Sequence, residues 1–340
     1  MIKVAINGAG RIGRAFYKLA SKREDIEVVA INDLADINNI AYLLKYDSAY
    51  GRSGLDVKVS EDLKSLIIDG KTVRYVSEKD PATLPWKELG VDIVVESTGL
   101  FTSYEKSKAH LDAGAKRVVI SAPVKDAEGA QKAETILLGI NDEKIKDCLI
   151  TSNASCTTNA ASPLIAILDE TIGVEKAILN TVHGYTASQS IVDGPNKKDF
   201  KEGRAAGQNI VPTSTGAAIA VGKALPQMVG KFDGISMRVP VISGSIADVT
   251  FIAKRNTTVE EVNNLLKKAS MEDRWKKVFT VTEDLIVSSD ILGDSHASIA
   301  DLGLTKVIDG NLVKVCAWYD NEMGYTHALI EHVVIAGKFI

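Results

Sequence analysis

The chain has 340 residues, 45% hydrophobic and 25% charged, and its 40 basic side chains against 44 acidic ones leave a net charge of -4. That balance argues against a dedicated nucleic-acid or membrane-surface binder, and the length suits two domains, each able to bury its own core. The cysteines Cys148, Cys156 and Cys316 form neither a metal spacing nor an even disulfide set, so no metal site is expected and a reducing cytoplasm is the expected compartment.

The amino terminus opens with the apolar run Ile2 to Ile6, in which Lys3 is the only charge. No cationic and apolar leader precedes it, so a cleaved secretion signal is not expected. Gly8-Ala9-Gly10-Arg11-Ile12-Gly13 follows at once, and Arg14 to Ala20 continues with helical periodicity. Strand, glycine turn and helix in that order suit a dinucleotide. Gly8 permits the turn, Gly10 lets backbone approach a pyrophosphate, Gly13 lets helix pack on strand, and the helix N-terminus faces the phosphates. A second strand, Glu27 to Asn32, ends in Asp33, twenty residues beyond Gly13, where an acid would bond the adenosine ribose. Its charge disfavours a 2′-phosphate, so NAD is expected rather than NADP.

Alternation continues. Ile37 to Tyr46 reads as helix, Ser65 to Val76 as a hairpin around Asp69-Gly70, and Val91 to Glu96 as a strand ended by Ser97-Thr98-Gly99. Tyr104 to Ala113 reads as a helix stopped at Gly114, and Arg117 to Ser121 as another strand. Such a pattern predicts a doubly wound parallel sheet with crossover helices, and puts Thr98, Gly99 and Ser121 at strand carboxyl ends, where a dinucleotide lies.

Ser152-Asn153-Ala154-Ser155-Cys156-Thr157-Thr158-Asn159 then places a cysteine among capping residues, with a helix reading on through Leu168 and a kink expected at Pro163. A helix N-terminus favours thiolate and can lower a thiol pKa from about 8.5. His183 follows the apolar run Ala177 to Val182, at the end of a predicted strand. Within hydrogen-bond reach, such a cysteine and histidine form an activated nucleophile. His110, His296, His327 and His332 are rivals, of which His110 and His332 read as helix residues with apolar neighbours. A thiolate beside a nicotinamide suits aldehyde oxidation: the sulfur adds to the carbonyl, hydride departs, a thioester remains, and the Cys156 N–H steadies the alkoxide.

From Thr186 to Pro212 periodic signals are few, and a loop that long is usually functional. The uncharged residues of Ala205 to Gly222 are too interrupted by polar side chains and Pro212 to cross a bilayer easily. Beyond them, Gly234 to Val241, Ser245 to Lys254, Val278 to Val281 and Asp284 to Ser288 read as strands of a mixed or antiparallel sheet, and Val259 to Ala269 and Tyr325 to Ala336 as helices. The expected fold is a Rossmann-type α/β domain over 1–154, an α+β catalytic domain over 155–321, and a carboxy-terminal helix over 322–340 that packs back on the first domain.

Taken together, Ile6 to Arg14, Glu96-Ser97-Thr98-Gly99, Ser152 to Asn159, Thr215-Gly216-Ala217-Ala218, Met237-Arg238-Val239-Pro240 and Trp318-Tyr319-Asp320-Asn321-Glu322 resemble the phosphorylating glyceraldehyde-3-phosphate dehydrogenases over nearly the full chain. The resemblance implies a homotetramer that makes 1,3-bisphosphoglycerate from glyceraldehyde 3-phosphate, NAD and inorganic phosphate, with phosphate rather than water resolving the thioester on Cys156 and His183 as base. It implies that Thr186 and Arg238 hold the substrate's phosphate and that Ser155, Thr157, Thr215 and Gly216 hold the attacking one. For the cofactor it implies Arg11 and Ile12 at the pyrophosphate, Asp33 at the ribose, Lys79 and Ser121 around the adenine, and Asn321 at the nicotinamide amide; Pro195 matches the NAD-using members. The chain departs from the family's usual residues at Ala9, Lys79, Gly184 and Ala160, and Ala160 removes a second thiol that could resolve an oxidised Cys156. No individual role is assigned to Lys197, Lys198, Lys201 or Arg204. Alternatives are erythrose-4-phosphate dehydrogenase, which hydrolyses its thioester, and a non-enzymatic nucleotide- or RNA-binding protein on this fold.

Overall fold

The computed structural model describes residues 1–129 and 132–340. They form two compact units, one of Met1–Ile136, Asp142–Ala154 and Leu329–Ile340, the other of Leu137–Asn141 and Ser155–Ala328.

The first unit is built on a nine-stranded sheet. Its spatial order is Ala133–Thr135, Ile150–Ser152, Arg117–Ile120, Ile93–Glu96, Ile2–Asn7, Ile26–Asn32, Lys71–Val76, Ser65–Ile68 and Val57–Val59. From Ala133–Thr135 to Lys71–Val76 all neighbours run parallel; the last two strands return antiparallel. The central strands are buried along most of their length, as Val4, Ala5, Ile6, Ile93, Val94 and Val95 are, because helices cover both faces of a parallel sheet. The expected hairpin closes on Asp69 and Gly70, both left-handed at φ 49° and 78°, the geometry a two-residue turn between twisted strands requires. The chain leaves Ile2–Asn7 to one side and Ile93–Glu96 to the other, so the sheet order reverses there, and the crevice at their carboxyl ends is the place for a ligand.

The end of the long helix Met323–Gly337 belongs to this unit. Arg23 reaches Glu331 at 2.9 Å, and the buried His332 bonds Thr151 Oγ1 at 2.7 Å and Asn153 Oδ1 at 3.1 Å. A Cβ on Gly337 would stand 2.2 Å from the Ile2 side chain, so glycine allows the helix that close.

The second unit carries a seven-stranded mixed sheet ordered Val211–Ser214, Phe232–Val239, Val174–Gly184, Ser245–Ala253, Leu312–Tyr319, Ser298–Ile308 and Phe279–Thr282. Strictly alternating burial along Ser245–Ala253 marks one face as core. Against that core lies the helix Cys156–Thr171, buried at every residue from Thr157 to Leu168, as a helix apolar nearly all round must be. It runs on through Pro163.

One expectation needs correction. Asp284 to Ser288 is no strand: Leu285 is fully exposed and the Val287 N–H bonds the Asp290 carboxylate in a turn. The sheet is completed instead by Ser298–Ile308 and Leu312–Tyr319, joined through Asp309 and Gly310. Their period was masked by a register shift between Asp301 and Lys306, which breaks the alternation.

Candidate active site

In the first unit the strand Ile2–Asn7 runs into the glycine turn and the helix Arg11–Ala20. Gly8 is left-handed at φ 98°, and a Cβ there would meet the backbone of Thr98 at 2.7 Å. A Cβ on Gly13 would lie 2.0 Å from the Gly8 carbonyl oxygen. Gly10, in contrast, faces open space; no side chain caps the helix N-terminus and no acid sits in its first turn. An anion-receptive helix end is thereby left for a ligand. A cleft of about 260 Å³ opens here, lined by Gly8, Gly10, Asp33, Lys79, Thr98 and Leu100, among others. Asp33 accepts the Ala9 N–H at 2.6 Å through one oxygen and the Ala35 N–H at 2.9 Å through the other. Each oxygen keeps a lone pair for a ribose hydroxyl. The Arg11 side chain is drawn to Asp47 at 2.8 Å, so what Arg11 and Ile12 offer a pyrophosphate is backbone. Ser121 Oγ donates to the Glu96 carbonyl, and Gly99 is left-handed at φ 72°. Open glycine, ribose acid and uncapped helix all fit a dinucleotide.

In the second unit Cys156 is the first residue of its helix, after the N-cap Ser155, whose Oγ accepts the Thr158 N–H at 3.1 Å. The chain enters that helix through Ala154, left-handed at φ 53° although it is not glycine, a conformation costing about 1–2 kcal/mol. Cys156 Sγ lies 3.3 Å from His183 Nε2. Of the candidate histidines, His183 is the one brought to the thiol; His110 and His332 are wholly buried helix residues. His183 and Arg238 are register partners on parallel strands, and Arg238 Nη1 stands 2.6 Å from His183 Nδ1. The same Nδ1 lies 2.6 Å from the Gly184 carbonyl oxygen. It cannot accept from the arginine and donate to the carbonyl at once.

The electrostatics correct one expectation. The thiol is not depressed; burial pushes it up, opposed by the Arg238 charge and the Thr157 N–H. His183 is pushed down to about 3, by burial first and Arg238 second. Loss of solvation opposes the helix terminus at the thiol and disfavours the charged form of the imidazole.

Other candidates are held locally. Thr186 Oγ1 pairs with Ser188 Oγ at 3.0 Å, and Thr215 Oγ1 accepts the Ala217 N–H at 3.2 Å, while Gly216 caps the helix Ala217–Ala224 and has no neighbour near its Cβ direction. The Thr157 hydroxyl is buried against Tyr319 Oη at 2.9 Å, so its remaining offer to an anion is its backbone N–H. Asn321 Oδ1 takes donors from Ser245, Gly244 and Ser243, which leaves its amide nitrogen as the donor. In the basic stretch, Arg204 pairs with Asp193 at 2.9 Å and Lys201 lies 3.7 Å from Asp199. Tyr319 was not singled out in the sequence. Its hydroxyl bridges Thr157 and Thr181, and its ring meets His183 edge-on at 5.9 Å; its place in the Trp318-Tyr319-Asp320-Asn321 run was the available signal. Among the described residues no group of three or more His, Cys, Asp or Glu could hold a metal, and no helix is long and apolar enough to cross a membrane.

Comparison with known proteins gives this geometry a family. Residues 2–104 match the NAD binding domain model of glyceraldehyde 3-phosphate dehydrogenase, and residues 155–321 match its C-terminal domain. The chain belongs to the glyceraldehyde-3-phosphate dehydrogenase family. It is 47% identical over 340 residues to glyceraldehyde-3-phosphate dehydrogenase of Streptomyces coelicolor, with 99% of each chain covered. It is 46% identical over 339 residues to glyceraldehyde-3-phosphate dehydrogenase 2 of Kluyveromyces marxianus, covering 99% of this chain and 100% of that one. A Mycobacterium avium relative of the same name is 48% identical over 343 residues, with 99% of each covered. NAD is the cofactor of the family's first domain, and this chain is an oxidoreductase of that family.

Proposed function

We propose that this chain oxidises glyceraldehyde 3-phosphate with NAD and inorganic phosphate to 1,3-bisphosphoglycerate through a thioester on Cys156. The observation that carries the reading is the Cys156 Sγ to His183 Nε2 approach of 3.3 Å at a helix N-terminus, with Arg238 on the adjoining strand. Sγ adds to the aldehyde carbon while its proton passes to Nε2, so no free thiolate is required. For Nε2 to be the acceptor, Nδ1 must carry the proton and donate to the Gly184 carbonyl. An anionic substrate that draws Arg238 off Nδ1 favours that tautomer, so substrate binding and base readiness are linked. Backbone N–H of Cys156 steadies the new alkoxide. NAD, when bound, supplies the hydride acceptor. His183 then returns its proton as phosphate oxygen attacks the thioester and the thiol leaves.

Arg238 and Thr186 hold the substrate phosphate in this reading, and Ser155, the Thr157 backbone, Thr215 and Gly216 hold the attacking phosphate. Gly8, Gly10, Arg11, Ile12, Gly13, Asp33, Lys79, Thr98, Gly99 and Ser121 hold the dinucleotide, with Asn321 at the nicotinamide amide. A homotetramer is supported by the outer face of the second sheet, where Ile178 and Ile235 are exposed and Val182, Ile246 and Trp318 sit half-buried in register. Reduced, separate cysteines support a cytoplasmic setting. A steady-state assay of NADH production from glyceraldehyde 3-phosphate tests the proposal. Turnover requires inorganic phosphate and prefers NAD to NADP; phosphate-independent turnover, or a preference for erythrose 4-phosphate, overturns it.

A further inference from the structure

Beneath the dinucleotide cleft runs a buried chain of hydrogen bonds that the proposed reaction does not use. Glu96, at the end of Ile93–Glu96, is 1% exposed. Its carboxylate accepts from Asn7 Nδ2 at 2.6 Å, His110 Nε2 at 3.0 Å, the Thr98 N–H at 2.8 Å and the Thr98 hydroxyl. The direction of every bond is locked from both ends. At one end Trp86 Nε1, which can only donate, lies 3.0 Å from His110 Nδ1, so Nδ1 accepts and Nε2 is the nitrogen that donates to Glu96. At the other end Asn32 exchanges two bonds with the Glu78 backbone, its Oδ1 accepting at 2.9 Å and its Nδ2 donating at 3.0 Å. That fixes the Asn32 amide, which donates at 2.7 Å to Asn7 Oδ1 and so points Asn7 Nδ2 at Glu96.

The network reaches the cleft at two places, through Thr98 and through Asn7, Asn32 and Glu78. Thr98 and Leu100 follow the strand on one side of Ile2–Asn7, and Glu78 and Lys79 follow Lys71–Val76 on the other side; all four line the cleft, and Thr98 Oγ1 also accepts the Leu100 N–H at 3.0 Å. We propose that Glu96, oriented by His110 and Trp86, is a positioning residue for NAD, setting the separation of the cleft rims through Thr98 on one side and Asn7 and Asn32 on the other. The proposal rests on the NAD-binding reading of the first unit. It gives a task to His110, which sequence pattern marks only as a helix residue.

Glu96→Gln is the sharpest test, because an amide NH₂ among donors that cannot flip leaves a buried clash of donors. Calorimetric titration with NAD, without aldehyde, is expected to show Kd raised about tenfold. kcat at saturating NAD stays within about twofold, and the rate of Cys156 alkylation by iodoacetamide in the absence of NAD is unchanged. Trp86→Phe keeps a smaller ring in the core and removes the donor that fixes His110; Kd rises about threefold in the same direction, and this variant decides the matter if Glu96→Gln does not fold. An unchanged Kd in either folded variant, or a fall in kcat with Kd preserved, overturns the proposal. Since the titration needs no turnover, failure of the proposed reaction in the native enzyme leaves the result readable.

Discussion

At Cys156 two effects compete. A helix N-terminus, Arg238 and the Thr157 N–H favour the thiolate, yet burial pushes the thiol up. In the proposed reaction His183 takes the proton as the bond forms. His183→Asn keeps a polar side chain but no base, and kcat is expected to fall about 10²–10⁴-fold. Cys156→Ser loses turnover by on the order of 10³-fold or more while calorimetric NAD binding persists. Turnover within tenfold of the native rate in either variant contradicts these roles. How far residue roles could be read from sequence follows from the same physics. Cys156 and His183 carry chemistry recognisable one residue at a time. The bond between Arg238 and His183 depends on strand register, and the role of Tyr319 on a hydroxyl shared by Thr157 and Thr181; neither is local.

At the scale of elements, the glycine turn makes the sharpest claim, since Gly13 and Gly10 are glycines for different reasons. Gly13→Ala forces a methyl to 2.0 Å from the Gly8 carbonyl oxygen, and the overpacking is expected to cost about 1–3 kcal/mol, read as a lower denaturation midpoint together with weaker NAD binding. Gly10→Ala meets open space and is expected to keep its midpoint while weakening NAD, because only a ligand approaches there. Equal midpoints for the two variants would contradict this division. Elements with one clear period or turn were legible: the Asp69-Gly70 hairpin, the helix ending before Gly114, the buried strand Ile93–Glu96. The strand Ser298–Ile308 was not, because the register shift after Asp301 leaves Gly303 and Leu304 outside any alternation. Asp284 to Ser288 misled for the opposite reason: the consecutive apolar residues Leu285, Ile286 and Val287 read as a short strand, but Leu285 packs on nothing.

For the whole molecule, the buried imidazoles set a pH limit. His183 and His332 are both held near 3, chiefly by burial, against an unfolded value of 6.5. Between those values the unfolded chain binds protons that the native state refuses, so their contribution is complete above about pH 6.5 and is lost as pH falls toward 3. The urea midpoint is expected to drop between pH 6.5 and 5, above the carboxylate range, and His332→Gln flattens the slope; a flat native midpoint across that interval contradicts the burial of these rings. The same scale holds what no sequence window carries, namely which face of the second sheet remains apolar and uncovered, since that is a sum over strands distant in the chain.

Rapid-quench mass spectrometry of the enzyme mixed with glyceraldehyde 3-phosphate and NAD, without inorganic phosphate, bears most directly on the central claim. A 3-phosphoglyceryl thioester is expected to accumulate on the peptide bearing Cys156 alongside a single burst of NADH, and to vanish when phosphate is added. NADH formation with no acyl group on that peptide, or an adduct indifferent to phosphate, would contradict it.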